Sequence, residues 1–113
     1  MSLLTDHFSL EELCFTQHRE FDNTPPPEVM PALTRTAQGL ERIRSLLGHP
    51  IHVNSGYRSP QVNAAVGSKP TSQHLKGEAA DFICPGYGPP LVVAERISEK
   101  IVDLGVDQLI WEF

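Results

Sequence analysis

The longest pattern in the chain is a repeat of apolar residues at steps of three and four, which predicts two amphipathic helices. The first spans about residues 28–47 and the second about residues 91–104. The residues expected to face the core are Met30, Leu33, Ala37, Leu40, Ile43 and Leu47 in the first helix and Leu91, Ala94, Ile97, Ile101 and Leu104 in the second. A glycine, Gly48 or Gly105, follows each helix and can take the left-handed conformation that ends it.

Two shorter helices are predicted from their capping residues. Each follows a serine whose side chain can accept a hydrogen bond from the first turn of a helix. Ser9, with Glu12 three residues later, forms a capping box at the start of a short helix that ends near residue 13. Ser59 is followed by a proline and predicts a short helix over residues 61–66.

Short extended segments are predicted where apolar and polar residues alternate, at residues 51–54, 79–83 and 109–113. Residues 16–24 and 67–77 are polar and are expected to be irregular. The elements then follow the order helix, helix, strand, short helix, strand, helix, strand. This order predicts an α+β domain in which a small, mostly antiparallel sheet packs with helices.

The composition predicts a single folded domain over residues 1–113. The chain is 40% hydrophobic, but no apolar run reaches the roughly 20 residues that cross a bilayer, so membrane insertion is not expected. The first residues lack the basic start and apolar core of a secretory signal, which predicts cytoplasmic synthesis without a signal peptide. The net charge is −5 and no basic cluster is present, so nucleic acid is not an expected partner. Cys14 and Cys84 lack CxxC spacing and are expected to be reduced thiols.

His74 and Asp81 are the first candidates for chemistry. An imidazole nitrogen and a carboxylate oxygen are both common zinc ligands. A histidine seven positions before an aspartate is, by itself, more often part of an ion pair or a solvated surface than of a metal site. Asp81, however, stands in an otherwise apolar strand. A carboxylate in that position needs a partner, and a metal ion is a suitable one.

The longest specific motif runs from residue 55 to residue 82. It reads Ser-Gly-Tyr-Arg-Ser-Pro from residue 55 and Ser-Gln-His-Leu-Lys-Gly-Glu-Ala-Ala-Asp-Phe from residue 72, with Asn63, Val66 and Gly67 between the two runs. This order resembles the zinc D-Ala-D-Ala carboxypeptidases and their phage-lysin relatives, in their compact single-domain branch. Residues 8–13, 23–27 and 107–113 resemble that branch as well. The resemblance implies the D-Ala-D-Ala carboxypeptidase/Hedgehog-like fold and the hydrolysis of peptidoglycan stem peptides.

The resemblance also implies roles for particular residues. His74 and Asp81 correspond to the family's first two zinc ligands. Arg58 corresponds to an arginine near the substrate, where its planar fork would bind a carboxylate or a carbonyl, and structural hydrogen bonds to nearby backbone are the alternative. Ser72 and Gln73 are candidates for binding substrate or shaping the ligand loop, and Ser72 has a hydrogen bond to backbone as its alternative role.

Two further expectations concern the end of the sequence. Glu112 is the candidate for the carboxylate that takes a proton from water, and a solvated strand residue is the alternative. The family's third zinc ligand is a histidine in a Trp-x-His type motif, and the sequence ends at Phe113 before such a motif. Because a catalytic zinc site ordinarily has three protein ligands, we expect one incompletely ligated zinc ion. The open explanations are a C-terminally truncated domain, a third ligand from His18 or His52, or a domain that has lost catalysis.

The expected partner is a peptidoglycan peptide substrate, cut by a carboxypeptidase or endolysin-type activity. The alternative is a non-catalytic module that binds a cell-wall peptide or a protein. A peptidase made without a signal peptide would act at the cell wall after release, or would be virion-associated. An edge strand at residues 108–113 would favour a homodimer through that strand.

Overall fold

The protein is described by a computed structural model that covers residues 3–104, including their side chains except at residues 90 and 99–104. The elements are α1 (Leu10–Leu13), α2 (Met30–Leu47), β1 (His52–Ser55), α3 (Pro60–Ala65), β2 (Asp81–Ile83) and α4 (Pro90–Leu104), with 3-10 helices at Pro27–Val29 and Gln73–Lys76. The two strands form an antiparallel sheet. The predicted α+β class is therefore confirmed.

Helix α1 is short, and its capping residues fix where it begins. The Oγ atom of Ser9 accepts a hydrogen bond from the backbone N–H of Glu12 at 3.1 Å. The side chain of Glu12 accepts one in return from the backbone N–H of Ser9 at 3.2 Å. Phe8 and Leu13, on either side of this capping box, are both fully buried. The predicted capping box is confirmed, and it anchors the start of the chain on the core.

Helix α2 supplies most of the apolar core. Its buried face consists of Ala32, Leu33, Ala37, Gly39, Leu40, Ile43 and Leu47. Met30, which the pattern also assigned to that face, is half-buried. The helix ends at Gly48, whose φ of 70° is the predicted left-handed cap. None of the helices within residues 3–104 is long and apolar enough to cross a membrane.

Helix α4 packs against α2, and its buried face differs from the predicted one at Leu91 and Val93. Leu91 was expected in the core, but it is 64% exposed. Ala94 and Ile97 are buried as predicted, and Val93, which the pattern did not include, is buried with them. With 3.6 residues per turn, Leu91 lies roughly 110° around the helix from the centre of those three residues, and so it faces away from the core.

The sheet contains an irregularity that matters for the site. Val53 pairs with Phe82, but the next pair along is Ser55 with Asp81, so Asn54 is an extra residue in β1. An extra residue of this kind bends a strand and redirects the side chains that follow it. It brings Ser55 beside Asp81 at the end of the sheet. The strand predicted at residues 109–113 lies outside the described residues.

The segment 67–77 was predicted to be an irregular loop, and this is wrong for its second half. A 3-10 helix forms at Gln73–Lys76, and Ser72 caps it by accepting a hydrogen bond from the backbone N–H of His74 at 3.3 Å. Four residues are too few for an apolar period to appear in the sequence, so only the capping serine could have indicated this helix.

Gly77 ends that 3-10 helix and rests on α2. Its φ is 72°, and a Cβ atom at this position would lie 2.8 Å from Val29 and 3.0 Å from Leu33. The hydroxyl of Thr36 donates a hydrogen bond of 2.7 Å to the carbonyl of Gly77. The segment that carries His74 is therefore held against the apolar core by one close approach and one hydrogen bond.

Both cysteines are free thiols, as predicted. Cys84 is buried, and its Sγ atom lies 3.3 Å from the carbonyl oxygen of Pro50, to which the thiol donates. Cys14 is half-buried at the end of α1.

Candidate metal centre

His74 is buried, with 3% of its surface exposed, and its orientation is fixed from two sides. Its Nδ1 atom lies 2.6 Å from the carbonyl oxygen of Gly56. Its own carbonyl accepts a hydrogen bond of 3.0 Å from the backbone N–H of Arg58. Because the Gly56 carbonyl can only accept, Nδ1 must carry the proton, and Nε2 of the neutral ring is left with a free lone pair. This is the arrangement in which a histidine binds a metal ion.

Asp81 opens β2 and lies beside that nitrogen. Its Oδ2 atom is 3.5 Å from Nε2 of His74, beyond the range of about 2.7–3.2 Å for an N–H···O hydrogen bond. Nε2 of His74 and Oδ1 of Asp81 are both buried without a hydrogen-bond partner within the described residues. An unmade hydrogen bond at a buried polar atom costs about 1–3 kcal/mol, so two such atoms at one place need an explanation.

A divalent cation between the two side chains would supply it. Two ligand atoms that are each about 2.0–2.1 Å from a tetrahedral zinc ion lie about 3.3 Å apart. The Nε2 atom of His74 and the Oδ2 atom of Asp81 are 3.5 Å apart, which is close to that separation. Oδ2 also accepts from Arg58, and the oxygen without a partner among the described residues is Oδ1 of the same carboxylate. One nitrogen and one carboxylate oxygen are also the donor types that zinc accepts. The residues present therefore fit two positions of a zinc site.

Arg58 lies next to Asp81 and is only 7% exposed. Its Nη2 atom donates to Oδ2 of Asp81 at 3.3 Å, which pairs two buried charges. Its Nε and Nη1 atoms donate to the hydroxyls of Ser55 and Ser68, at 3.2 and 3.1 Å. These contacts use three of the five N–H donors of the guanidinium. Arg58 therefore balances the charge of Asp81 and fixes the position of its carboxylate.

Residues 55–59, which we call the 55–59 strip, connect this site to α1. The backbone N–H of Tyr57 donates to the carbonyl of Leu13 at 2.7 Å. Gly56 passes so close to Leu13 that a Cβ atom at this position would collide with the Leu13 carbonyl. Only glycine fits here without a shift of the backbone. The strip is thus fitted against the end of α1 on one side and against His74 on the other.

The family model for Peptidase M15 matches residues 6–106, nearly the whole chain. The chain belongs to the Peptidase M15 family. It is therefore a zinc metallopeptidase-like domain of the hydrolase class, and the predicted resemblance is confirmed. Neither the curated proteins nor the solved structures contain a match to the chain.

The other predicted site residues of this M15 domain differ in how close they lie to His74 and Asp81. Ser72 lies next to the centre, and its hydroxyl caps the 3-10 helix through the backbone N–H of His74. This contact is the backbone role that was its alternative. Gln73 is the first residue of that helix, and its carbonyl accepts from the backbone N–H of Glu78 at 3.2 Å. Glu112 lies outside the described residues.

A third metal ligand is not among residues 3–104. No three histidine, cysteine, aspartate or glutamate side chains in that range are grouped so that they could hold a metal ion. His18 is paired with Glu20 at 3.4 Å on the surface, and His52 is exposed on β1. Neither histidine joins His74 and Asp81, so the expectation that one of them completes the site is not supported by the described part of the chain.

The thiol and phenol near the 55–59 strip are not nucleophiles at neutral pH. Burial, followed by the charge of Glu11, raises the pKa of Cys14 from 9.0 to about 11. The pKa of Tyr57 is also raised, mainly by burial and next by the neighbouring Cys14. Both groups therefore stay protonated near pH 7, and the chemistry of this site falls to His74, Asp81 and the groups that hold them.

Sequence reasoning missed three residues that build the site. Ser55 and Ser68 accept hydrogen bonds from Arg58. Asn23 binds the backbone of the 55–59 strip. In the sequence it stands out only as part of the segment 23–27 that resembles the family. The order of residues gives no sign of these contacts, because each depends on a fold that joins distant segments. A buried arginine does require several hydrogen-bond acceptors, and this requirement is the one feature that could have pointed to acceptors such as Ser55 and Ser68.

Proposed function

We propose that this protein is a zinc-dependent peptidase that hydrolyses peptide bonds in peptidoglycan stem peptides, as a D-Ala-D-Ala carboxypeptidase or an endolysin-type endopeptidase. The observation that carries the proposal is the buried pair of unpartnered atoms, Nε2 of His74 and Oδ1 of Asp81. Membership of the M15 family supports the reaction class. The identity of the peptide belongs to the proposal, and it follows from the motif at residues 55–82.

His74 and Asp81 would hold the zinc ion. Zinc bound there would supply Lewis-acid polarisation of a peptide carbonyl and of a water molecule. The carbonyl of Gly56 keeps the proton of His74 on Nδ1, so Nε2 faces the metal position. Arg58 keeps the Asp81 carboxylate in place through Oδ2. These outer contacts support metal binding because they remove the freedom of the ligands to turn away.

Arg58 is also proposed to bind substrate. Among the described residues, its contacts with Ser55, Ser68 and Asp81 leave two of its five N–H donors. With the charge of Arg58 balanced by Asp81, the charge of a divalent cation would make the site attractive to a peptide carboxylate, to which Arg58 can donate. Its low exposure limits this role to a substrate group that enters the site. A terminal carboxylate of a stem peptide meets that requirement.

Further proposals concern the general base, other substrate contacts, the place of action and the pairing of chains. Glu112 is proposed to take the proton from the attacking water, and Ser72 and Gln73 are proposed to contact substrate beside His74. The proposed place of action is the cell wall after release, or the virion. Pairing of two chains through residues 108–113 is also proposed, and sedimentation that shows only monomer at high concentration would contradict it.

Hydrolysis is tested with the full chain and zinc, on a D-Ala-D-Ala-terminated peptide and on purified peptidoglycan. We expect release of D-alanine or of wall peptides, and loss of release in His74→Ala and Asp81→Ala. His52→Ala is the matched control, because it removes an exposed histidine from the same sheet. No release from either substrate by the zinc-loaded wild type would contradict the proposal.

The second candidate is a non-catalytic module that binds a wall peptide or a protein. The observation that favours it is the presence of two candidate ligands, and no third, within the described residues. Calorimetry with the same peptide and with a chelator separates the two candidates. Peptide binding that survives chelation, without any hydrolysis, would support the module over the enzyme.

A further inference from the structure

We infer that Asn23 is a positioning residue that orients His74 and Arg58 by fixing the backbone of the 55–59 strip. Its catalytic meaning rests on the proposed function, but the placement of the two side chains can be measured without it. Asn23 lies about fifty positions before His74, and its three hydrogen bonds go to backbone groups rather than to either side chain. It acts through the peptide groups between them.

The carboxamide of Asn23 makes three hydrogen bonds in a buried position, 9% exposed. Its Nδ2 atom donates to the carbonyl of Cys14 at 2.8 Å and to the carbonyl of Tyr57 at 3.0 Å. Its Oδ1 atom accepts from the backbone N–H of Ser59 at 2.7 Å. Two donors and one acceptor are required at these places, and an amide side chain of this length supplies all three.

Two of these bonds enclose Arg58. The carbonyl of Tyr57 and the N–H of Ser59 belong to the two peptide groups on either side of the Arg58 Cα atom. One rigid amide therefore holds both peptide planes and sets the direction in which the Arg58 side chain leaves the backbone. That side chain reaches Asp81 at 3.3 Å, so the amide of Asn23 is linked to the carboxylate through Arg58.

The same strip also holds His74. The carbonyl of Gly56 fixes its ring at Nδ1, and the N–H of Arg58 binds its carbonyl. A shift of the strip therefore changes the two contacts that orient His74 together with the side chain that holds Asp81. The third bond of Asn23, to Cys14, fixes this arrangement to the end of α1.

The loop that carries Asn23 is itself ordered by local contacts. The side chain of Asp22 accepts a hydrogen bond from the backbone N–H of Thr24 at 2.9 Å, which closes a turn around Asn23. Pro25, Pro26 and Pro27 follow and restrict the backbone. The backbone on both sides of Asn23 is therefore conformationally restricted, which fixes the position of its side chain against the strip.

The experiment is an NMR measurement of the Nδ1 proton of His74 in the metal-free full chain. A proton in a buried hydrogen bond whose Nδ1 and carbonyl oxygen atoms are 2.6 Å apart gives a downfield resonance that exchanges slowly with water. We expect Asn23→Ala to lose this resonance or to speed its exchange at least tenfold. Ile43→Val is the control, because it disturbs the buried face of α2 and removes no group that could hydrogen-bond to the strip or to His74.

A resonance and exchange rate in Asn23→Ala equal to those of the wild type would overturn the inference, as would the same change in Ile43→Val. Asn23→Asp is the second variant, because it keeps the shape and the acceptor but loses both donors. If Asn23→Ala does not fold, the resonance and the exchange rate of Asn23→Asp are compared with the wild type instead, by the same criteria. If neither folds, Asn23 supports the whole fold and the specific positioning role is overturned. A protein that passes this test but binds no zinc would disprove the proposed function while leaving the role of Asn23 intact.

Discussion

Helix α2 and the 55–59 strip are both buried, but they are buried in different ways. The inner face of α2 is almost entirely aliphatic, with Leu33, Leu40 and Ile43 all at 0–1% exposure. The strip is also largely buried, but its polar backbone groups are paired with Leu13, His74 and Asn23 by hydrogen bonds. The burial of α2 is stabilised by the apolar area and volume that its side chains fill. The burial of the strip is stabilised by hydrogen bonds, which require particular directions.

The difference explains why the candidate metal centre lies beside the strip. Hydrophobic burial is proportional to area and does not fix the angle of a side chain. A metal site requires its ligands within about 0.5 Å of the productive geometry, and hydrogen bonds supply that direction. The apolar core therefore supplies most of the stability, and the strip supplies the orientation of His74 and Arg58.

The largest effect on stability is expected in the apolar region. Leu40→Ala should lower the free energy of unfolding by about 2–5 kcal/mol, because it removes buried methyl groups and leaves a cavity. Urea denaturation measures this loss. Below the unfolding transition, the Nδ1 resonance of His74 should be unchanged. A change of that resonance in the folded variant would mean that the core also orients the site, and the comparison would fail.

The next effect is expected where the strip meets α1. Gly56→Ala places a Cβ atom against the Leu13 carbonyl, and backbone on both sides must shift, at a cost of about 2–3 kcal/mol. Gly48→Ala is the matched control, since nothing lies within 4 Å of its Cβ position and only its φ of 70° is strained, at about 1 kcal/mol. Thermal unfolding of both variants gives the two costs. Equal costs would show that the close approach at Gly56 has no energetic weight.

The two regions were predictable from the sequence to different degrees. The face of α2 follows from a period of 3.6 residues, and its end follows from Gly48. Leu91 was misplaced because a repeat with several apolar neighbours does not say which side of a helix meets the core. His74 and Asp81 were found by a motif, but the acceptors of Arg58 were not, because no local pattern encodes contacts between distant segments.

A smaller effect is expected where α2 contacts the segment that carries His74. Thr36→Val removes the hydroxyl that donates to the carbonyl of Gly77, at a cost of about 1 kcal/mol. Thr34→Val is the control, since its hydroxyl donates within α2, to Met30 at 3.1 Å. Hydrogen exchange of the 73–77 amides should speed up in Thr36→Val alone. Equal exchange in both variants would contradict a specific link from α2 to the His74 segment.

The last effect is expected only at high pH, and solvent screening of the half-buried Cys14 thiol reduces it. The pKa of Cys14 is about 11 in the folded protein against an ordinary value of 9.0, so the folded state holds the thiol proton more tightly. Its contribution to stability is complete below pH 9 and is lost as the pH rises towards 11. Urea midpoints of wild type and Cys14→Ala should therefore converge over that range. A constant difference between the two curves would refute this linkage.

The central claim is that Nε2 of His74 and the carboxylate of Asp81 form two positions of a zinc site that the 55–59 strip holds ready. The most direct test is calorimetric zinc titration of the 113-residue chain, of His74→Ala and of Asp81→Ala, with His52→Ala as the control. We predict one zinc ion per chain, an affinity that falls at least about tenfold in each ligand variant, and no change in the control. The absence of zinc binding by the wild type, or equal binding by the ligand variants, would contradict the account.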